Sequence, residues 1–218
     1  MGVFLQLVTH GHGRIRVGHP GHGGERRRRR SQMWETYIVS AFDFPQLDAR
    51  ARDLMMEEFA YDRDSDRIYV GRRLNSQGER TYCDALPLAL RQGTPVELRQ
   101  QLEPVPGSLW ISSIMAANGR RSTTPVTAAQ TLAEGEFNRY YMRAICRRAV
   151  DEGNGTVRVR RGKAVQNPRA DPSVRVHEGD ILDASVVLED IRLHPGEDTV
   201  IGMPRGPNSG LSLEFVPS

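Results

Sequence analysis

Apolar positions settle into helical spacing from residue 47 onward. Leu47, Ala51, Leu54, Met55 and Phe59 recur at three- and four-residue intervals, which predicts a helix with one buried face. Pro45 sets its start, since a missing N–H is no loss in a first turn, and the helix is expected to end near Tyr61. Residues 34–42, ahead of it, predict a short strand. Asp62, Asp64 and Asp66 then alternate like the opening of a calcium loop, but Arg67 stands where such a loop needs Gly and Arg73 where it needs a bidentate Glu. The aspartates are read instead as solvating a turn into a strand at 67–74. Asn75 to Gly78 would form the bend and residues 80–83 a return strand.

Thr94-Pro95-Val96-Glu97 is a helix start with a capping residue, a first-turn Pro and a Glu placed to reach back. Pro104 and Pro106 stop that helix. Residues 108–117 form the most apolar stretch and predict a core helix burying Leu109, Trp110, Ile111, Ile114 and Met115, ended by Asn118-Gly119. The longest helix is expected from Pro125 or Ala128 to Glu152, with Phe137, Tyr141, Ala144, Ile145 and Arg148 on one face. Val157 and Val159 alternate with Arg158 and Arg160 in a half-buried strand over 156–165, which Gly162 would bulge. Asp183 caps a helix to Leu193 that buries Val187, Leu188 and Ile191. Gly206 to Gly210 is turn chemistry before a strand in which Leu211, Leu213 and Phe215 alternate with Ser212, Glu214 and Val216. The fold class is therefore α+β: a helix-rich core over 45–152, with strands near 67–83, 156–165 and 211–216 in a small antiparallel sheet.

Composition adds limits to this picture. A chain of 218 residues, 38% hydrophobic and 26% charged, suits one ordinary domain, here 33–218, with a subdivision near 119–124 as the alternative. No apolar run reaches the roughly 18 to 20 residues of a membrane span. Cys83 and Cys146, 63 positions apart without a CxxC motif, read as buried free thiols.

The formal net charge of +3 hides a marked asymmetry. Residues 1–32 carry a net of +6, so the tail accounts for the basic balance of the chain. Residues 139–175 hold ten bases and three acids, and residues 176–218 two bases and eight acids; these blocks either face each other in one fold or leave a polyanion-binding face. The tail also holds four of the six histidines, which gives adventitious Zn2+ or Ni2+ affinity. It shows no strand or helix period, so it reads as a disordered basic tail, or as codons upstream of a true start at Met33.

Candidate chemistry is sparse. Arg139, Arg143 and Arg147 lie four apart on the long helix; this stripe reads either as a solvated or salt-bridged face or as a ladder for successive phosphates, extended by Arg158 and Arg160 of the strand. Lys163 is the single lysine among thirty basic residues, and no P-loop surrounds it. His177, Glu178, Asp180 and Asp183 fall within seven residues, a cluster that a hydrolase could use to hold Mg2+ or Mn2+ and activate water, with Lys163 as a base. Asp183 is more simply the helix cap.

The run Glu134-Gly135-Glu136-Phe137-Asn138-Arg139-Tyr140-Tyr141, followed by Ala149, Gly153 and the strand Val157 to Val159, resembles the helix-then-strand portion of phage head morphogenesis (minor head) proteins over about 30 of the 218 residues. Where that family carries a tryptophan, a cysteine-bearing loop and a His-Pro-x-Cys-like end, this chain has Arg160, a cysteine-free stretch at 166–183 and Gly206-Pro207-Asn208. The resemblance implies a structural role at a virion or in a prophage remnant and carries over no functional residue. The expectation is a noncatalytic structural or interaction protein, cytoplasmic or virion-associated, that contacts nucleic acid or another protein and needs no cofactor. The alternatives are a metal-dependent nuclease or other hydrolase at His177 to Asp183, and a regulatory protein-binding module.

Overall fold

The computed structural model describes residues 42–103, 109–116, 118–165, 175–204 and 206–217. Most of the predicted strand at 34–42, the basic tail, and the loop at 166–174 lie outside these residues. Helix α1 is Ala49–Asp64. Its cap is Asp48, whose carboxylate accepts from Ala51 N at 2.9 Å, so Pro45 sits in the preceding turn rather than in the helix. The expected face is buried, but Glu58 and Asp62 are buried with it.

The strand pair expected over 67–83 is absent from these residues. Asn75 accepts from the N–H groups of Gln77 and Gly78 and starts helix α2, Ser76–Gln92, which buries Gly78, Tyr82, Ala85, Leu86, Ala89 and Leu90. Gly78 is read from sequence as a bend, but it is needed for close approach. A Cβ there would lie 2.2 Å from the Leu109 carbonyl oxygen. Helix α3, Pro95–Leu102, follows with Thr94 accepting from Glu97 N, as the capping pattern predicts.

The apolar stretch after α3 is not a core helix. Strand β1, Ser113–Met115, pairs antiparallel with β2, Arg121–Thr123, and Asn118-Gly119 lies in the turn between them. Leu109 is buried, whereas Met115 is 66% exposed. Residues 109–111 are drawn into extended pairing by Leu74, which bridges Trp110, and by Arg73, whose carbonyl accepts from Ile111 N.

Helix α4, Ala128–Glu152, has the predicted length and becomes the central element. Phe137, Tyr140, Tyr141, Ala144 and Ile145 are fully buried, because α1, α3, the sheet and the helix following β4 all pack around α4. Strand β3, Thr156–Arg161, lies between β4, Ile181–Asp183, and β5, Leu211–Phe215, both antiparallel to it, with Val159 opposite Leu213. The third strand is thus β4 and not the 67–83 segment. Gly162 and Lys163 both donate to the Gly210 carbonyl, which is the expected bulge at the end of β3. Asp183 ends β4 and caps helix α5, Ala184–Leu193, accepting from Ser185 N and Val186 N. No helix of the described residues is long and apolar enough to cross a membrane.

Candidate functional site: a buried arginine network beneath a cleft

Leu54, Glu58 and Asp62 share one stripe of α1 at four-residue spacing, and Arg139, Arg143 and Arg147 share one stripe of α4. The two helices pack with these stripes facing. Arg143 is fully buried; it donates from Nε to Glu58 Oε2 at 2.8 Å and from Nη1 to Asp62 Oδ2 at 2.6 Å. Arg139, 7% exposed, reaches Asp62 and Glu136, and Arg147 donates to Glu58 and Glu57. Arg192 of α5 closes the set with two further bonds to Glu58. Tyr140 donates its hydroxyl to Asp62 at 2.9 Å.

This geometry corrects the phosphate ladder. Guanidinium groups buried against carboxylates cannot meet a phosphate unless the core opens, so Arg139 and Arg143 are inaccessible and Arg147 is already paired. Burial works against ionising Glu58, but the hydrogen bonds and charges of Arg192 and Arg143 outweigh it and bring its pKa down to about 2. For Glu136 burial prevails over Arg139, and its pKa rises. Burial likewise opposes charge on Arg139, but Glu136, Tyr140 and Asp62 outweigh it and hold the guanidinium ionised.

The remaining candidates are scattered. Arg158 faces Glu214 across the sheet at 3.0 Å, and Arg160 donates to Asp43, so the basic side of β3 is an ion-paired surface. Lys163 is held in an ion pair by Glu134 and lies outside the 177–183 cluster that the hydrolase alternative joined to it. In the 177–183 cluster, His177 is exposed and Glu178 pairs with Arg161. Asp180 accepts from His177 N, and Asp183 is the cap of α5. These two carboxylates serve the backbone, and the cluster does not converge on one point. Among the described residues no group of three His, Cys, Asp or Glu side chains is placed to hold a metal ion. Cys146 is buried and Cys83 half-buried, both as free thiols.

At Glu136 the network borders a cleft of about 520 Å³, and none of its lining residues is a candidate site by sequence. Tyr69, Arg72, Arg73, Trp110 and Ile114 line it together with Leu132, Gly135 and Glu136 of α4 and with Pro207 and Asn208. Tyr69 packs against Gly196, where φ is +73° and a Cβ would fall 2.1 Å from the ring. Only glycine satisfies both the backbone angle and the contact. Trp110 donates Nε1–H to the Leu102 carbonyl at 2.8 Å, which fixes its ring. Arg73 donates to the Ser122 carbonyl and hydroxyl, tying the cleft to the β1–β2 hairpin. The buried acids are legible in principle, as carboxylates at core-facing helical positions four residues apart. The cleft is not, because its walls come from segments far apart in the chain. No family model, curated protein or solved structure matches the chain.

Proposed function

We propose that this protein is a noncatalytic structural or interaction protein of a phage-like or mobile-element system, and that it meets nucleic acid at the cleft and hairpin instead of along α4 or β3. The observation that carries this reading is the location of uncommitted positive charge. Among the described residues, Arg67, Arg72, Arg80, Arg91, Arg120 and Arg121 are exposed with no carboxylate partner; Arg80 and Arg91 belong to α2, whereas Arg72 lines the cleft with Arg73, which bonds only neutral oxygens, and Arg120 and Arg121 belong to the hairpin. A free guanidinium binds phosphate without first breaking an ion pair. The phage-like context is supported by the resemblance at 134–141 and 157–159, whose residues lie in α4 and β3 in the order it implies. The hydrolase alternative, with Mg2+ or Mn2+, draws no support from 177–183, where Asp180 and Asp183 already bind backbone N–H groups. A protein-binding role is the second reading, favoured by exposed Ile111 and Met115 on the same hairpin.

The test uses the full chain and a variant with Arg26 to Arg30 changed to Ser, each with labelled single- and double-stranded DNA at low and moderate salt, with and without Mg2+ or Mn2+. The tail variant should still bind, weaken as salt rises, and lose affinity on R120E/R121E. Loss of all binding with the tail neutralised would overturn the placement. Metal-dependent cleavage would overturn the noncatalytic reading.

A further inference from the structure

The cleft has the size of a small-molecule site and an uneven distribution of charge. Its one lining carboxylate, Glu136, is met by Arg139, with Nη2 at 2.9 Å from Oε2. Arg72 and Arg73, which also line it, have no carboxylate partner among the described residues. An incoming anion therefore meets two unneutralised cations and an acid already compensated from behind. Arg73 is held in place by Ser122 and Thr124, so it needs little ordering on binding. Beside the two arginines stands Trp110, whose polar edge is occupied by the Leu102 carbonyl. What the indole offers the cleft is apolar ring surface, continued by Ile114 and Leu132.

We infer that this cleft binds a nucleotide unit, with its phosphate on Arg72 and Arg73 and its base against Trp110. Two guanidinium groups suit a phosphate ester, monoester or diester, whose several oxygens can accept from both. A flat apolar wall beside them suits a planar base, which stacks on an aromatic ring whatever its sequence identity. This deepens the nucleic-acid reading above and rests on it for the choice of a nucleotide over other planar anions. The same chemistry is offered by a free mononucleotide and by an unpaired nucleotide of a single strand.

The experiment uses the full chain carrying Trp34→Phe, which leaves Trp110 as the sole indole of the two tryptophans. Its emission is followed during titration with AMP, adenosine, inorganic phosphate and a short oligothymidine. Saturable quenching is expected with AMP, with the oligothymidine, or with both, and the pattern identifies the source. Adenosine should bind about tenfold more weakly than AMP, phosphate should compete, and Arg72→Ala should weaken nucleotide binding about tenfold. Arg72 is exposed and has no carboxylate partner among the described residues, so this variant keeps its fold, which circular dichroism verifies. No quenching by either nucleotide ligand, equal affinity for adenosine and AMP, or an unchanged Arg72→Ala titration would overturn the site. DNA binding without Trp110 quenching sinks the cleft and leaves the contact surface standing, while AMP quenching without DNA binding does the reverse.

Discussion

Arg143→Met separates the structural role of the arginine row from any role at the surface. Methionine keeps helix propensity and much of the stem volume, so the substitution removes mainly the charge and its hydrogen bonds. At this fully buried position Arg143 bonds Glu58 Oε2 at 2.8 Å, Asp62 Oδ2 at 2.6 Å and the Glu58 carbonyl at 3.3 Å. Removing one partner of a buried ion pair costs about 3–5 kcal/mol. The carboxylates are not left alone, because Glu58 retains Arg147 and Arg192, and Asp62 retains Arg139 and Tyr140. The expectation therefore sits at the lower end, about 3 kcal/mol, against a total stability of about 5–15 kcal/mol. In urea unfolding followed by circular dichroism, with a slope of about 2 kcal/mol/M, the midpoint should fall by about 1.5 M. Combining Arg143→Met with Glu58→Gln should cost less than the sum of the single changes by more than about 1 kcal/mol, since the two share a hydrogen bond. A single-variant loss below about 0.5 kcal/mol, or strict additivity, would refute the claim that the row is spent on holding α1 to α4.

Acid should loosen the same network. Glu58 has its folded pKa depressed to about 2 from 4.5, so its contribution is complete above pH 4.5 and is lost as pH falls toward 2. Glu136 is shifted the opposite way, so its effect falls above pH 4.5, where acid protonates it first in the folded state and adds stability before the Glu58 decline begins; unfolding free energies that stay flat between pH 4.5 and 2 would contradict the assignment. Gly78→Ala, usually stabilising within a helix, should here lower the thermal midpoint by an amount equivalent to about 1–3 kcal/mol, because the added methyl meets the Leu109 carbonyl oxygen at 2.2 Å; an unchanged or higher midpoint would count against that contact. Burial raises the pKa of both thiols and encloses Cys146 completely, so a thiol reagent should label Cys83 first and Cys146 only on unfolding. Equal labelling rates in the native state would show that α4 is less enclosed than described.

Elements whose pattern is local are legible in the sequence. The capping residues Thr94 and Asp183 start helices because a side-chain oxygen satisfies backbone N–H groups only two or three residues away. The long period of α4 and the alternation in β3 likewise read correctly, and the helix-rich α+β class follows from them; β5 is a strand as expected, but Ser212 is buried there along with Leu211 and Leu213, so its alternation is lost. Residues 67–83 and 109–116 read wrongly for the opposite reason. Gly78 looks like a bend unless the neighbouring Leu109 backbone is known, and the apolar run at 109–115 looks like a core helix unless Leu74 and Arg73 are known to pair with it.

The candidate site divides in the same way. Sequence alone determined that Arg139, Arg143 and Arg147 share a helical stripe, since that depends only on the turn of one helix. Whether the stripe faces solvent or the acids of α1 depends on how two helices far apart in the chain come to pack, and only the tertiary structure decided that Glu58 and Asp62 lie opposite it. The cleft is a product of packing throughout. Arg72 and Trp110 acquire a shared environment because the 67–74 segment, the hairpin and α4 converge there, and the free charge that gives the cleft its chemistry is the charge that the core did not consume.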